Sequence, residues 1–73
     1  MYVVVNEKNQ GLNGFDQHSG YPEFVTLEKM DTSININIYF SEHDSIVDAN
    51  MCRRSWSIPA KAILLSEWIE FRK

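Results

Sequence analysis

The sequence predicts a small α+β domain, an antiparallel sheet of three or four strands with one C-terminal amphipathic helix packed on one face. Three observations carry this expectation. A chain of 73 residues and 8.5 kDa has room for one core, because so short a polymer buries only about 60% of the surface it exposes when unfolded. Ile34, Ile36, Ile38 and Phe40 alternate with Ser33, Asn35, Asn37 and Tyr39, the period-two pattern of a strand with one buried and one wet face. Leu64, Leu65, Trp68, Ile69 and Phe71 fall on one broad face when wound at 100° per residue, opposite Ser66, Glu67, Glu70 and Lys73, as in a helix laid on a core.

The elements follow in chain order. Tyr2-Val3-Val4-Val5 is β-branched and apolar on both sides of the pleat, so it reads as a strand covered on both faces. Residues Glu7 to Pro22 contain all three glycines, the Asn13-Gly14 pair and few apolar anchors, which predicts one long loop. Phe24 to Met30 reads as a second strand, and Asp31-Thr32 turns the chain into the Ser33–Phe40 strand. Ser45 to Trp56 supports two readings. Val47, Ala49 and Met51 alternate as in a strand, while Ile46, Val47, Asn50 and Met51 would share part of a helix face. The strand is preferred, ending near Ile58 with a bulge around Cys52-Arg53. The final helix is expected from Pro59, which suits a first turn, with Ser57 as its cap. Its apolar face against Ile34, Ile36, Ile38 and Phe40 is the predicted core.

Composition narrows the functional classes. The hydrophobic fraction of 44% suits a folded domain, although so small a core supplies only roughly 3–5 kcal/mol of net stability, which leaves room for a partner or a homodimer. A single cysteine, Cys52, allows no intramolecular disulfide and points to a reducing, cytoplasmic setting. No apolar run is long enough to span a bilayer, and Met1-Tyr-Val-Val-Val-Asn6 has no signal-peptide character. The formal charge of −3 disfavours non-specific nucleic-acid binding. It is a difference, however: residues 1–52 sum to −6 and residues 53–73 to +3, so an oriented contact with an anionic surface stays open.

No motif specifies a chemistry. Glu42-His43-Asp44 with Asp48 lacks the spacing and glycine of a calcium loop. His18, His43 and Cys52 are too few and too scattered for a zinc site. A Cys52–His pair has neither a glycine elbow nor an oxyanion loop beside it, and Gly11-Leu12-Asn13-Gly14 resembles a backbone-clamping turn without the basic neighbours that turn requires. The expectation is therefore a chain with no catalytic residue, no metal and no cofactor.

Two surfaces remain as candidate partner-binding residues. Asn35, Asn37 and Tyr39 form the outward row of the Ser33–Phe40 strand, and one helix leaves one sheet face uncovered. Arg53, Arg54 and Trp56 form the one basic-aromatic cluster, the residue types enriched at interface hot spots. On a strand, Arg54 and Trp56 would share a side. These features predict a non-enzymatic protein-interaction module, in the manner of the accessory or inhibitor proteins of phages and mobile elements that bind a larger host protein. The alternative is a weak single-stranded nucleic-acid binder using the basic-aromatic cluster with Tyr39.

Overall fold

The computed structural model describes residues 1–26 and 36–71. The element order is β1 (Tyr2–Asn6), β2 (Gly11–Phe15), β3 (Pro22–Val25), α1 (Glu42–Trp56), β4 (Ala60–Leu64) and α2 (Leu65–Phe71). The four strands form one antiparallel sheet in the order β3-β2-β1-β4, so the expected α+β class and the C-terminal helix on one sheet face are both present.

The valine run occupies the place its composition implies. Val3, Val4 and Val5 are all buried because the two sides of β1 meet two different cores. Val4 packs with Leu12, Ala49, Cys52 and Ala60 under α1. Val3 and Val5 pack with Trp68 of α2, and Ile36, Ile63 and Leu65 border them. The sheet is thus covered on both faces, which corrects the expectation of one open face.

The second helix is the reason. Residues expected to form a fourth strand form α1 instead, and only Ser45, Ala49 and Cys52 along it are buried. These lie four and three residues apart, one stripe of a helix. Because all three are small, the helix axis can sit close to the sheet. Val47 and Met51, which looked like alternate strand positions with Ala49, project outward. Acidic Glu42 and Asp44 in the first turn and Arg53 and Arg54 in the last complement the helix dipole. Ser57 does not start a helix; it ends α1 with φ 55°, and the amides of Ser57 and Ile58 both donate to the Cys52 carbonyl, a left-handed closure of the last turn.

The chain after Pro59 is a strand before it is a helix. β4 pairs with β1 along its whole length, from Tyr2 opposite Leu64 to Asn6 opposite Ala60. The helical spacing read from Leu64 onward begins to apply at Leu65, and Trp68 of α2 is fully buried.

The span read as one loop, 7 to 22, contains β2. Asn6 builds the turn into it: its side-chain oxygen accepts the amides of Lys8 and Gln10 at 3.0 and 2.9 Å, while Asn9 adopts φ 60°. β2 pairs with β3 across an irregularity between Leu12 and Gly14. The period-two segment is partly outside the described residues, which omit Ile34 and Asn35. Its described part forms no strand beyond a bridge between Tyr39 and Tyr2. There the Asn37 amide donates to Leu12 and Tyr39 exchanges two bonds with Tyr2, so the segment contacts both β1 and β2. Ile36 faces the α2 core as its pattern suggested, while Ile38 and Phe40 are exposed.

Trp68 ties these parts together. Its Nε1–H donates to the Asn9 carbonyl at 2.8 Å across 59 positions of sequence, and a Cβ added at Gly11 would lie 2.8 Å from its ring. Gly11→Ala must therefore displace either a buried indole or a strand. Thermal melts should place Gly11→Ala well below the wild type, and Trp68→Ala should cost about 3–5 kcal/mol, enough to unfold the domain; a Gly11→Ala melt equal to wild type would refute this packing.

Candidate functional site

The residues singled out in the sequence do not share one surface. Asn37 and Tyr39 stand on the flank of α1. The Tyr39 hydroxyl donates to Asp48 Oδ2 at 2.5 Å. Desolvation and the Asp48 carboxylate push the Tyr39 phenol far above its ordinary range, although a hydrogen bond from the Asn37 side chain acts in the opposite direction. Tyr39 is a half-buried lock between the 36–39 segment and α1, and its ring packs against the Val4 core. It is not part of a wet outward row. Asn35 lies outside the described residues.

Arg53 and Trp56, three residues apart, share one side of α1, and Arg54 stands apart from them. On a helix, Arg53 and Arg54 diverge by 100° and Trp56 lies about 160° from Arg54, whereas the strand reading put Arg54 and Trp56 together. Arg53 is committed to the fold: one guanidinium nitrogen donates to the Ala60 carbonyl at 3.1 Å, and the other bonds to Asn50. Trp56 meets Tyr21 edge to face, with ring centres 5.2 Å apart and planes at 77°. Arg54 is exposed.

Cys52 is fully buried beneath α1. Burial pushes its thiol up, and Asp48 adds to the shift, the opposite of the lowered pKa a reactive thiolate needs. Glu42, His43 and Asp44 occupy the first turn of α1, exposed to solvent. Among the described residues no three His, Cys, Asp or Glu side chains come together in a way that could hold a metal ion.

One cleft of about 450 Å³ opens between the β1–β2 turn, the start of β3 and the α1–β4 loop, with Tyr21, Phe24, Ile58 and Pro59 on its walls and Glu7 and Glu23 among its charges. It contains no His, Cys or Ser, so it brings a shape without a nucleophile or imidazole.

The feature that sequence reading missed is on the outer side of α1. Phe40 is 85% exposed, and Val47 and Met51 are 46% and 43% exposed. Val47 and Met51 are four residues apart, with Arg54 three further on, so one face of the helix carries all three. The signal was present in this spacing, but the alternation with Ala49 obscured it. Among the described residues no helix is long and apolar enough to cross a membrane. No protein-family model matches the chain, and no similar curated protein or solved structure was found.

Tyr39 and Cys52 both hold their protons more tightly in the folded chain than in the unfolded one. Their contribution is complete below the ordinary thiol and phenol values and is lost as pH rises through the folded ones. Urea midpoints should thus fall above about pH 9 for the thiol and about pH 10 for the phenol. Tyr39→Phe should lower the midpoint at neutral pH but flatten the decline above pH 10; an unchanged alkaline slope would contradict the buried-phenol assignment.

Proposed function

We propose that this chain is a small, non-enzymatic protein-interaction module, an accessory or inhibitor protein that binds a larger protein through the outer face of α1. The observation that carries the reading is the exposure of Phe40, Val47 and Met51 on and just before that helix. Single exposed apolar side chains are ordinary, but an exposed helical apolar pair preceded in the chain by an exposed aromatic is the composition of a binding patch. Methionine adapts to irregular partner surfaces, and Arg54 on the same face adds a hot-spot residue type. A phage or mobile-element origin belongs to the same proposal and draws on size and charge.

The protein reading is preferred to the nucleic-acid one because Arg53 is engaged by Asn50 and Ala60 while Trp56 is packed on Tyr21. Stacking and phosphate neutralisation need such groups on one accessible surface.

The test is affinity capture of binding proteins with three immobilised chains: wild type, a Phe40→Ser/Val47→Glu/Met51→Glu variant, and a Lys8→Glu control. The first and third should retain the same protein, and the triple variant should lose it while keeping its circular dichroism. If the folded triple variant captures the same protein as wild type, the outer face of α1 is not the binding surface.

A further inference from the structure

The hydrogen-bond parity of β4 points to a second surface, separate from the outer face of α1. The Leu65 amide donates to the Met1 carbonyl, next in line after the Tyr2–Leu64 pair. In an antiparallel ladder the residues that exchange bonds alternate with those that do not, and each strand residue points its N–H and C=O to the same side. Ile63 and Lys61 therefore bond to Val3 and Val5, while Ala60, Ala62 and Leu64 point their backbone groups away from β1. Two further bonds agree with this parity. Tyr2 exchanges bonds with Tyr39 on the side of β1 away from β4, and the Ala60 carbonyl is met from outside the sheet by Arg53. β4 is one of the two terminal strands of the sheet, and among the described residues nothing bonds to the N–H or C=O of Ala62.

We infer that β4 pairs with β4 of a second copy of this chain, antiparallel about a two-fold axis through Ala62, to make one continuous sheet of two domains. The occupant follows from the strand itself. Ala62 is the middle residue of β4 and points outward, so a two-fold through it uses the whole strand: Ala62 meets its own copy, and Ala60 meets Leu64 of the second copy. Such an isologous contact closes on itself. Arg53 occupies one acceptor direction of the Ala60 carbonyl, and the oxygen has a second lone pair for the incoming Leu64 amide.

Charge complementarity favours the same register. Lys61 would lie opposite Ile63 of the second copy, not opposite a second lysine. It stands on the sheet face that carries α2, since it pairs with Val5. The α2 helix of the second copy begins two residues beyond that Ile63 and holds the exposed Glu67 in its first turn. Each copy thus presents a cation where the other presents an anion. The exposed Leu64, at 38%, lies on the same edge, and Ile46 is two turns before Arg53 on one flank of α1; both would be covered.

Sedimentation equilibrium or native mass spectrometry should find a mass twice 8.5 kDa that dissociates on dilution. Ala62→Pro removes an amide that the β1 ladder does not use, as an edge strand tolerates, and should give a folded monomer. Lys61→Glu and Glu67→Lys should each weaken the dimer several-fold, and the double exchange should restore it. Amide exchange gives a reading independent of any variant: the outward Ala62 and Leu64 amides should be protected at high concentration and exposed on dilution. A wild type that stays monomeric to millimolar concentration overturns the inference. So does a dimer that survives Ala62→Pro but is lost in the Phe40/Val47/Met51 variant, which would put self-association on α1. Failure here leaves the binding role of α1 standing, because the capture experiment uses different residues.

Discussion

The indole of Trp68 is the constraint on which the rest of the structure depends. It lies against Gly11 at the first residue of β2, donates to Asn9 in the turn before it, and covers Val3 and Val5 on one face of β1. A large aromatic can sit that close to a strand only where the strand has no Cβ. The helix that carries it is seven residues long and has little stability of its own, since isolated helices below about 12–15 residues are marginal. Thus α2 exists because Trp68 has a socket, and the socket exists because Asn6 folds its turn and Gly11 leaves room beyond it.

The opposite face follows different rules. There α1 meets the sheet through Ser45, Ala49 and Cys52, and the small stripe brings helix and sheet together without the large side chains that normally fill such a gap. Ser45 can be buried because its hydroxyl donates to the Glu42 carbonyl at 2.7 Å, which satisfies the donor inside the helix. Phe15, Phe24, Tyr39 and Ile58 pack around the edges of this contact. Tyr39 then ties the flank of α1 to β1 twice, through its backbone to Tyr2 and its hydroxyl to Asp48. Two thin cores, one built on an indole and one on a close helix, share the single strand β1.

This division explains which elements could be read in advance. The valine run was legible because burial on both sides leaves an unbroken apolar string, and no solvent-facing strand looks like that. The C-terminal helix was legible from Trp68, but its start was displaced because Ala60 to Leu64 satisfies helical and strand spacing together; only the ladder with β1 decides. For α1, the usual helix signal was inverted, with the inward stripe small and partly polar and the apolar residues outside. The run of β1, β2 and β3 was hidden because glycines that look like loop residues are there for different reasons: Gly11 for the approach of Trp68, Gly20 for a left-handed turn between β2 and β3 at φ 76°. Of the candidate binding residues, Tyr39, Arg53 and Trp56 acquire the partners Asp48, Ala60 and Tyr21 only through tertiary structure, so those contacts were not legible in the sequence.

A close helix and a small sheet also decide where the remaining apolar side chains go. With the α1 stripe limited to serine, alanine and cysteine, the contact beneath it has no volume for Val47 or Met51, and Phe40 stands at the entrance to the helix with no core to enter. Their exposure is a consequence of how α1 sits, not of a shortage of apolar partners elsewhere in the sequence. The charge split has a similar geometric origin. Arg53, in the last turn of α1, reaches the outer edge of β4 and Lys61 lies along that strand, so part of the positive segment is gathered at a sheet edge whose backbone groups face outward. A cation on an edge strand ordinarily discourages chance pairing with other strands, and here it leaves a pairing that brings an acidic group to meet it as the favoured one.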